Sequence, residues 1–301
     1  MRILVTDQNF GDGAEIERRL VQAAGGELVL EDCKSEADVA EALERHRPDA
    51  LLVQFAPIGE RALRDANGLA GIVRYGVGVD NIDTRAAEAH GIAVGAVPDY
   101  CIEEVADHTI ALLLGVERGI VALAAQTRAG GWDFRAAGRV RRLRGLTLGS
   151  VGWGRIARAV AARAEALGLR VVAHDPAYPE TLSLEDVLRQ ADILTLHVPL
   201  TDATKGLVGE RELAMLPERA VVLNAARGGL VDEDALVAAL ASGRLGGAGL
   251  DVLAGEPPPP DHPLRRIENV VLTPHAAWYS EAAVVELRER AVATALELVR
   301  A

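Results

Sequence analysis

The sequence predicts an α/β protein with two parallel sheets, and three observations carry that expectation. Short apolar runs alternate with amphipathic stretches along nearly all of the 301 residues, which is how parallel strands joined by crossover helices read. The runs fall into two series, parted by a long apolar stretch and then a polar one. One run in the second series ends in a glycine-rich turn that opens a helix, as the first unit of a nucleotide-binding sheet does.

The first series contains RILVT, ELVLE, ALLVQF, GIVRYG and IAVGAV. These are expected to form the sheet of a smaller, flavodoxin-like parallel α/β domain over residues 1–98. Between the second and third runs, SEADVAEALERH reads as an amphipathic helix capped by Ser35. Next, EEVADHTIALLLGVERGIVALAAQ reads as one long helix starting near Glu103, followed by the polar RAGGWDFRAAGRVRRLRG. The crossover is placed near residue 99, which makes residues 99–278 a second domain inserted into the first. Its runs, LTLGSV, LRVVAH, DILTLHV, AVVLNA, GAGLDV and NVVLT, supply the six strands of a doubly wound parallel Rossmann sheet. The closing SEAAVVELRERAVATALELVR is an amphipathic helix within residues 279–301 that is expected to return to the first domain, the substrate domain, and complete it.

Composition removes several function classes. A hydrophobic content of 50% is ample for two cores, and no run of about 18 apolar residues is available to span a bilayer. The opening MRILVTDQNF passes directly from a short apolar run to polar residues, unlike a signal peptide, so the expected location is cytoplasmic, with no membrane partner. A net charge of −12 opposes direct binding to nucleic acid. Cys33 and Cys101 have no ligand-like spacing, so neither a disulfide scaffold nor a metal site is expected.

Gly152, Gly154 and Ala157 form a GxGxxA pattern between LTLGSV and the helix RIARAVAARAEAL. The glycines permit a tight turn and close backbone approach to a pyrophosphate, the small Ala157 lets helix and strand pack, and the helix N-terminus attracts negative charge. The next strand ends in VVAHDP, placing Asp175 at 175 − 154 = 21 residues beyond the second glycine, where an acid accepts bonds from the adenosine ribose. Asp175 would repel a 2′-phosphate and no arginine follows it closely, so NAD is expected over NADP.

Ligands of an open parallel sheet bind beyond the carboxyl ends of its strands. Arg227 follows the fourth strand of the second series, Asp251 and Glu256 follow the fifth, and His275 follows the sixth. If these strands are neighbours, Arg227 can hold a carboxylate with its planar fork and polarise the adjacent carbonyl. His275 can supply the proton to the carbonyl oxygen, and Glu256 can orient the imidazole and favour its charged form. Each residue alone reads as an ordinary surface or structural group, as do His46, His90, His108, His174, His197 and His262; their meeting at successive strand ends makes the case. Trp278 and Tyr279 read as packing at a domain seam, with Trp278 equally readable as a wall of the substrate pocket.

The stretches RYGVGVDNID, GSVGWGRIA, HVPLTDAT, NAARGGLVDEDAL, GLDVLAGEP and LTPHAAWYSEAA resemble, in order, those of the NAD-dependent D-isomer-specific 2-hydroxyacid dehydrogenases, from residue 74 to residue 283. HAAWYSEAA with ELRERA looks most like the C-terminal-binding-protein branch, whose animal members are NAD(H)-responsive corepressors. The resemblance implies an oxidoreductase acting on the CH-OH group of a small 2-hydroxy acid or on its 2-keto partner, with Arg227, Glu256 and His275 as substrate anchor, relay carboxylate and proton donor. It implies NAD contacts from Gly152, Trp153, Gly154, Arg155, Ile156, Ala157, Asp175, Val198, Pro199, Thr204, Ala225, Ala226 and Asp251, with Val77 and His275 also on the cofactor. Gly76, Val77 and Gly78 would offer amides to the substrate carboxylate beside Arg227 and Trp278. The helix starting near Glu103 resembles the family's dimer arm and implies a homodimer. Phosphoglycerate is the alternative substrate, disfavoured because VPDYCIEEVADH lacks an Asn-x-x-Ser pattern and there is no further regulatory domain. An NAD(H)-sensing dimeric binding protein, corepressor-like with vestigial dehydrogenase activity, is the alternative from another class.

Overall fold

The computed structural model describes residues 1–300; Ala301, the last residue of the expected C-terminal helix, lies outside the described residues. The chain divides into two compact units, unit 1 comprising residues 1–100 and 279–301 and unit 2 residues 101–278.

Unit 1 holds β1 (Arg2–Val5), β2 (Glu27–Leu30), β3 (Ala50–Val53), β4 (Gly71–Arg74) and β5 (Ala93–Ala96), all parallel in the order β2-β1-β3-β4-β5. Its helices are α1 (Glu15–Ala23), α2 (Glu36–His46), α3 (Glu60–Leu63), α4 (Thr84–Ala89) and, in chain order the last, α11 (Glu281–Arg300). Ser35 caps α2 as expected: its Oγ accepts from the Asp38 amide at 3.2 Å while the Asp38 carboxylate accepts from the Ser35 amide at 2.8 Å. α11 packs on α1 and on β3, β4 and β5.

A charged cluster ties α11 into this unit. Arg288 is 2% exposed and Glu17 is fully buried. The guanidinium donates to Glu17 at 2.8 and 2.6 Å and to Asp12 at 2.8 and 2.9 Å, while lying 4.8 Å from the Phe10 ring centroid. The Tyr75 hydroxyl donates to Glu17 at 3.0 Å. Burial, with Glu17 beside it, pushes the Tyr75 phenol well above its ordinary range, so it remains a donor. Breaking such a pair from one side strands the other charge in a dry interior, at a cost of roughly 3 to 5 kcal/mol.

Unit 2 holds β6 (Thr147–Val151), β7 (Arg170–His174), β8 (Ile193–Leu196), β9 (Val221–Asn224), β10 (Gly247–Leu250) and β11 (Val270–Leu272), parallel in the order β7-β6-β8-β9-β10-β11. The direction of winding reverses between β6 and β8, and β9, β10 and β11 are neighbours. Its helices are α5 (Ile102–Glu117), α6 (Ile120–Arg128), α7 (Arg155–Ala166), α8 (Leu184–Gln190), α9 (Glu210–Met215) and α10 (Glu233–Ala241). Strand side chains alternate between two apolar cores. Leu148, Ile193, Val221 and Leu223 pack with residues of α5 and α7, whereas Val151, Leu194, Leu196 and Val222 pack with residues of α8, α9 and α10. Burial on both faces explains why these strands read as mostly apolar runs, with Ser150 and Thr195 as fully buried polar exceptions.

One expected element divides. The single long helix over EEVADHTIALLLGVERGIVALAAQ is two helices, α5 and α6, bent by 66°. Gly119 between them adopts φ +61°, and a Cβ there would press on the backbone of Ala137. The apolar composition of the run hides this break, because glycine within a helical pattern is only a weak signal. Among the described residues no single helix is long and apolar enough to cross a membrane.

Candidate active site

The carboxyl ends of β6, β7, β9, β10 and β11 each deliver a loop bearing the side chains singled out from the sequence. At β6 the chain turns through Gly152 at φ +98°, and a Cβ there would collide with the carbonyl of His197 at the end of β8. Only glycine lets the turn pass so close. A Cβ on Gly154 would have open space, and as N-cap of the twelve-residue α7 it brings no side chain to the first-turn amides. Ala157, one turn in, is buried against the sheet. Open space at Gly154 and a close helix–strand contact at Ala157, at the start of α7, fit a dinucleotide pyrophosphate.

Asp175, just past β7, accepts from the Trp153 amide at 2.8 Å and from the Ala177 amide at 2.9 Å. The second strand end is thereby pinned to the glycine turn, and the carboxylate stands beside it. Past β8, Val198 packs at the edge of the core, and the Thr204 hydroxyl closes its loop by donating to the Pro199 carbonyl at 2.6 Å.

At β9 the buried Asn224 shapes the turn that carries Ala225, Ala226 and Arg227. Its Oδ1 accepts from the Ala226 amide at 3.0 Å and its Nδ2 donates to the Arg227 carbonyl at 2.9 Å. Gly228 follows, and a Cβ there would overlap the backbone of Leu253 and Ala254. The Arg227 turn and the Leu253–Glu256 loop are thus in backbone contact.

Glu256 uses both oxygens: Oε1 accepts from the Leu253 amide at 2.9 Å, and Oε2 lies 2.8 Å from His275 Nδ1. Burial alone would raise its pKa. The hydrogen bonds from His275 and Leu253, with the charges of His275 and Arg227, outweigh burial and hold it below the ordinary glutamate value. His275 itself sits at φ +53°, a left-handed conformation held by its amide donating to the Asp251 carbonyl at 2.8 Å. The Trp278 indole donates to the His275 carbonyl at 2.9 Å.

Asp251 is 2% exposed, and its carboxylate organises the His275 loop. It accepts from the Thr273 hydroxyl at 2.6 Å, the Ala276 amide at 2.9 Å and the Ala277 amide at 2.8 Å. His108 on α5 lies 2.9 Å from Thr273 Oγ1 and 3.5 Å from the Asp251 carboxylate. Gly76, Val77 and Gly78 lie in unit 1, after β4; the Gly76 carbonyl accepts from the Val97 amide at 2.9 Å and Val77 is exposed. Among the described residues no group of three metal-ligating side chains occurs.

Residues 110–277 match the family model described as the NAD binding domain of D-isomer specific 2-hydroxyacid dehydrogenases. The chain belongs to that family. This dehydrogenase is 37% identical to the glycerate dehydrogenase of Methylorubrum extorquens over 250 residues, covering 80% of this chain and 79% of that protein. It is 36% identical to the D-3-phosphoglycerate dehydrogenase of Methanocaldococcus jannaschii over 297 residues, 94% of this chain but 54% of that protein, so it spans about half the length of that relative. Among solved structures, the TT0316 protein of Thermus thermophilus superposes with a TM-score of 0.89 at 38% identity, covering 100% of this chain and 97% of that one. The family is NAD-dependent, and the turn at Gly152 to Ala157 fits that cofactor.

The sequence pattern sets His108 aside and does not reach Asn224, Thr273 or Glu233. Glu233 on α10 accepts from the Ala254 amide and lies 3.2 Å from His262, so it braces the loop bearing Glu256 from behind. The local signal for Asn224 and Gly228 is the motif NAARGG, whose paired glycines mark a close backbone approach.

Proposed function

We propose that this dehydrogenase interconverts a small 2-keto acid and the corresponding D-2-hydroxy acid, with Arg227, Glu256 and His275 as its working side chains. The observation that carries this reading is the 2.8 Å contact of His275 with the Glu256 carboxylate, on a loop in backbone contact with the turn that bears Arg227. When bound, the nicotinamide supplies the hydride to the substrate carbonyl carbon or takes it back from the alcohol. Arg227 binds the substrate carboxylate through its fork and polarises the carbonyl. His275 delivers a proton to the carbonyl oxygen during reduction and removes it during oxidation. Glu256 holds the imidazole by Nδ1, which leaves Nε2 as the atom that exchanges the proton. Trp278 walls the substrate pocket, and the amides of Gly76, Val77 and Gly78 keep their anion-binding reading.

For the cofactor, the turn from Gly152 through Trp153, Gly154, Arg155 and Ile156 to Ala157 takes the pyrophosphate and Asp175 takes the ribose hydroxyls. Within unit 2, Val198, Pro199, Thr204, Ala225, Ala226, Asp251 and His275 complete the contact set. The protein is a homodimer in this reading, supported by α6, which buries no side chain, and by Trp132 and Phe134, exposed to 92% and 83%.

The test is loss of NADH absorbance with a panel of keto acids, including hydroxypyruvate and its 3-phospho form because relatives act on glycerate and phosphoglycerate. Turnover giving the D-product supports the reading. Tight NADH binding with no turnover of any acid favours the sensing dimer instead.

Two variants probe the parts. In Asp175→Ala, NAD binding is expected to weaken and discrimination against NADP to relax; an unchanged NAD/NADP ratio in steady-state kinetics removes the ribose role. In Glu256→Gln, the ring stays hydrogen-bonded but loses its anionic neighbour, which disfavours the protonated imidazole. The alkaline limb of kcat/KM for reduction is therefore expected to move to lower pH. A limb that stays in place or rises excludes the relay. Because Glu256 is held below the ordinary glutamate value, its charge persists through mildly acidic pH, and the wild-type relay stays intact there.

A further inference from the structure

The adenosine end of the groove contains a cation that the run of sequence after Asp175 does not show. Arg158, on the first turn of α7, is exposed. Its guanidinium carbon lies 5.8 Å from the Trp153 ring centroid and 4.8 Å from that of Tyr178. Its Nε donates to the Trp153 carbonyl at 3.0 Å. Both aromatic residues are tied to Asp175: the Trp153 amide donates to its carboxylate at 2.8 Å and the Tyr178 amide to its carbonyl at 2.9 Å. The guanidinium is therefore set between the two residues that flank Asp175, with Nε spent on the turn and the Nη groups bonded to no described residue.

We propose that Arg158 is a second determinant of cofactor choice, a receptor for the 2′-phosphate of NADP(H) standing beside the carboxylate that receives the ribose of NAD. Asp175 by itself would repel a dianionic phosphate. Arg158 returns a positive charge to the same neighbourhood and presents parallel N–H donors, the arrangement that recognises phosphate. Stacking on Trp153 and Tyr178 restricts the side chain before any ligand arrives, so little rotamer freedom remains to be lost on binding. The protein accordingly binds NADPH as well as NADH, with Asp175 and Arg158 pulling the preference in opposite directions.

This inference rests on the cofactor reading of the Gly152 turn. The experiment is fluorescence titration of NADH and NADPH into wild type, Arg158→Gln and Arg158→Lys at low and moderate salt. Expected is measurable NADPH binding by wild type, with an NADPH affinity that falls more steeply with salt than that of NADH. Arg158→Gln should raise the ratio of NADPH to NADH dissociation constants at least tenfold, and Arg158→Lys should recover part of it. An unchanged ratio in Arg158→Gln, an equal loss of both cofactors, or no NADPH binding by wild type overturns the proposal. Failure of wild type to bind NADH would instead overturn the cofactor reading itself.

Discussion

Replacing His275 with asparagine is expected to lower kcat/KM for keto-acid reduction about 10²- to 10⁴-fold, the usual contribution of a positioned general acid. Asparagine is the informative choice because the backbone at this position is left-handed, with φ +53°. Asparagine visits that region more readily than other side chains, whereas alanine there would add backbone strain to the loss of the ring. The amide group cannot exchange a proton near neutrality, so the alkaline limb of the reduction profile should vanish together with the rate. The bonds from Asp251 to the backbone of Ala276 and Ala277 do not involve the ring, so the loop keeps its anchor. A decrease of less than tenfold, measured by NADH consumption, would remove His275 from the proton path.

Arg227→Ala should damage both KM and kcat if, as proposed, one fork holds the carboxylate in the ground state and polarises the carbonyl as charge develops. Losing one partner of a closed charge-assisted pair costs on the order of 2 to 5 kcal/mol, which is roughly a 30- to 4,000-fold drop in kcat/KM. Arg227→Lys keeps the charge but loses the planar fork, and its activity should fall between wild type and alanine. Because the Arg227 turn contacts the Leu253–Glu256 loop through Gly228, the alanine variant also needs a control for loop displacement. The pH profile provides it: the alkaline limb set by Glu256 and His275 should persist in whatever activity remains. A change below tenfold in kcat/KM would return Arg227 to the ordinary surface residues.

The strands are legible because each is a mostly apolar run bounded by turn residues, and the polar residues within them, such as Ser150 and Thr195, are too few to break the pattern. The trio is legible for a topological reason: once β9, β10 and β11 are neighbours, the residues after each are necessarily close. What escapes is whatever depends on contact across long stretches of chain. His108 meets Thr273 from a helix 165 positions earlier, and nothing near either residue announces the other. Arg158 escapes for the opposite reason. It lies only five residues beyond Trp153, on the helix that the glycine turn opens, and not in the stretch after Asp175 where a phosphate partner is expected. The break between α5 and α6 is hidden because an apolar stretch keeps its helical look on either side of Gly119.

The placement of Arg288 bears on how the protein is born. Strands β1 to β5 leave the ribosome before the inserted unit, and the helix that covers β3, β4 and β5 follows it. At 5 to 20 residues per second, synthesis of the intervening segment takes roughly ten to forty seconds. Throughout that interval Glu17 and Asp12 have no guanidinium to receive, and the apolar face meant for α11 is bare. The inserted unit, by contrast, has its whole sequence in hand before α11 is translated. Unit 1 is therefore begun before the inserted unit and closed only after it.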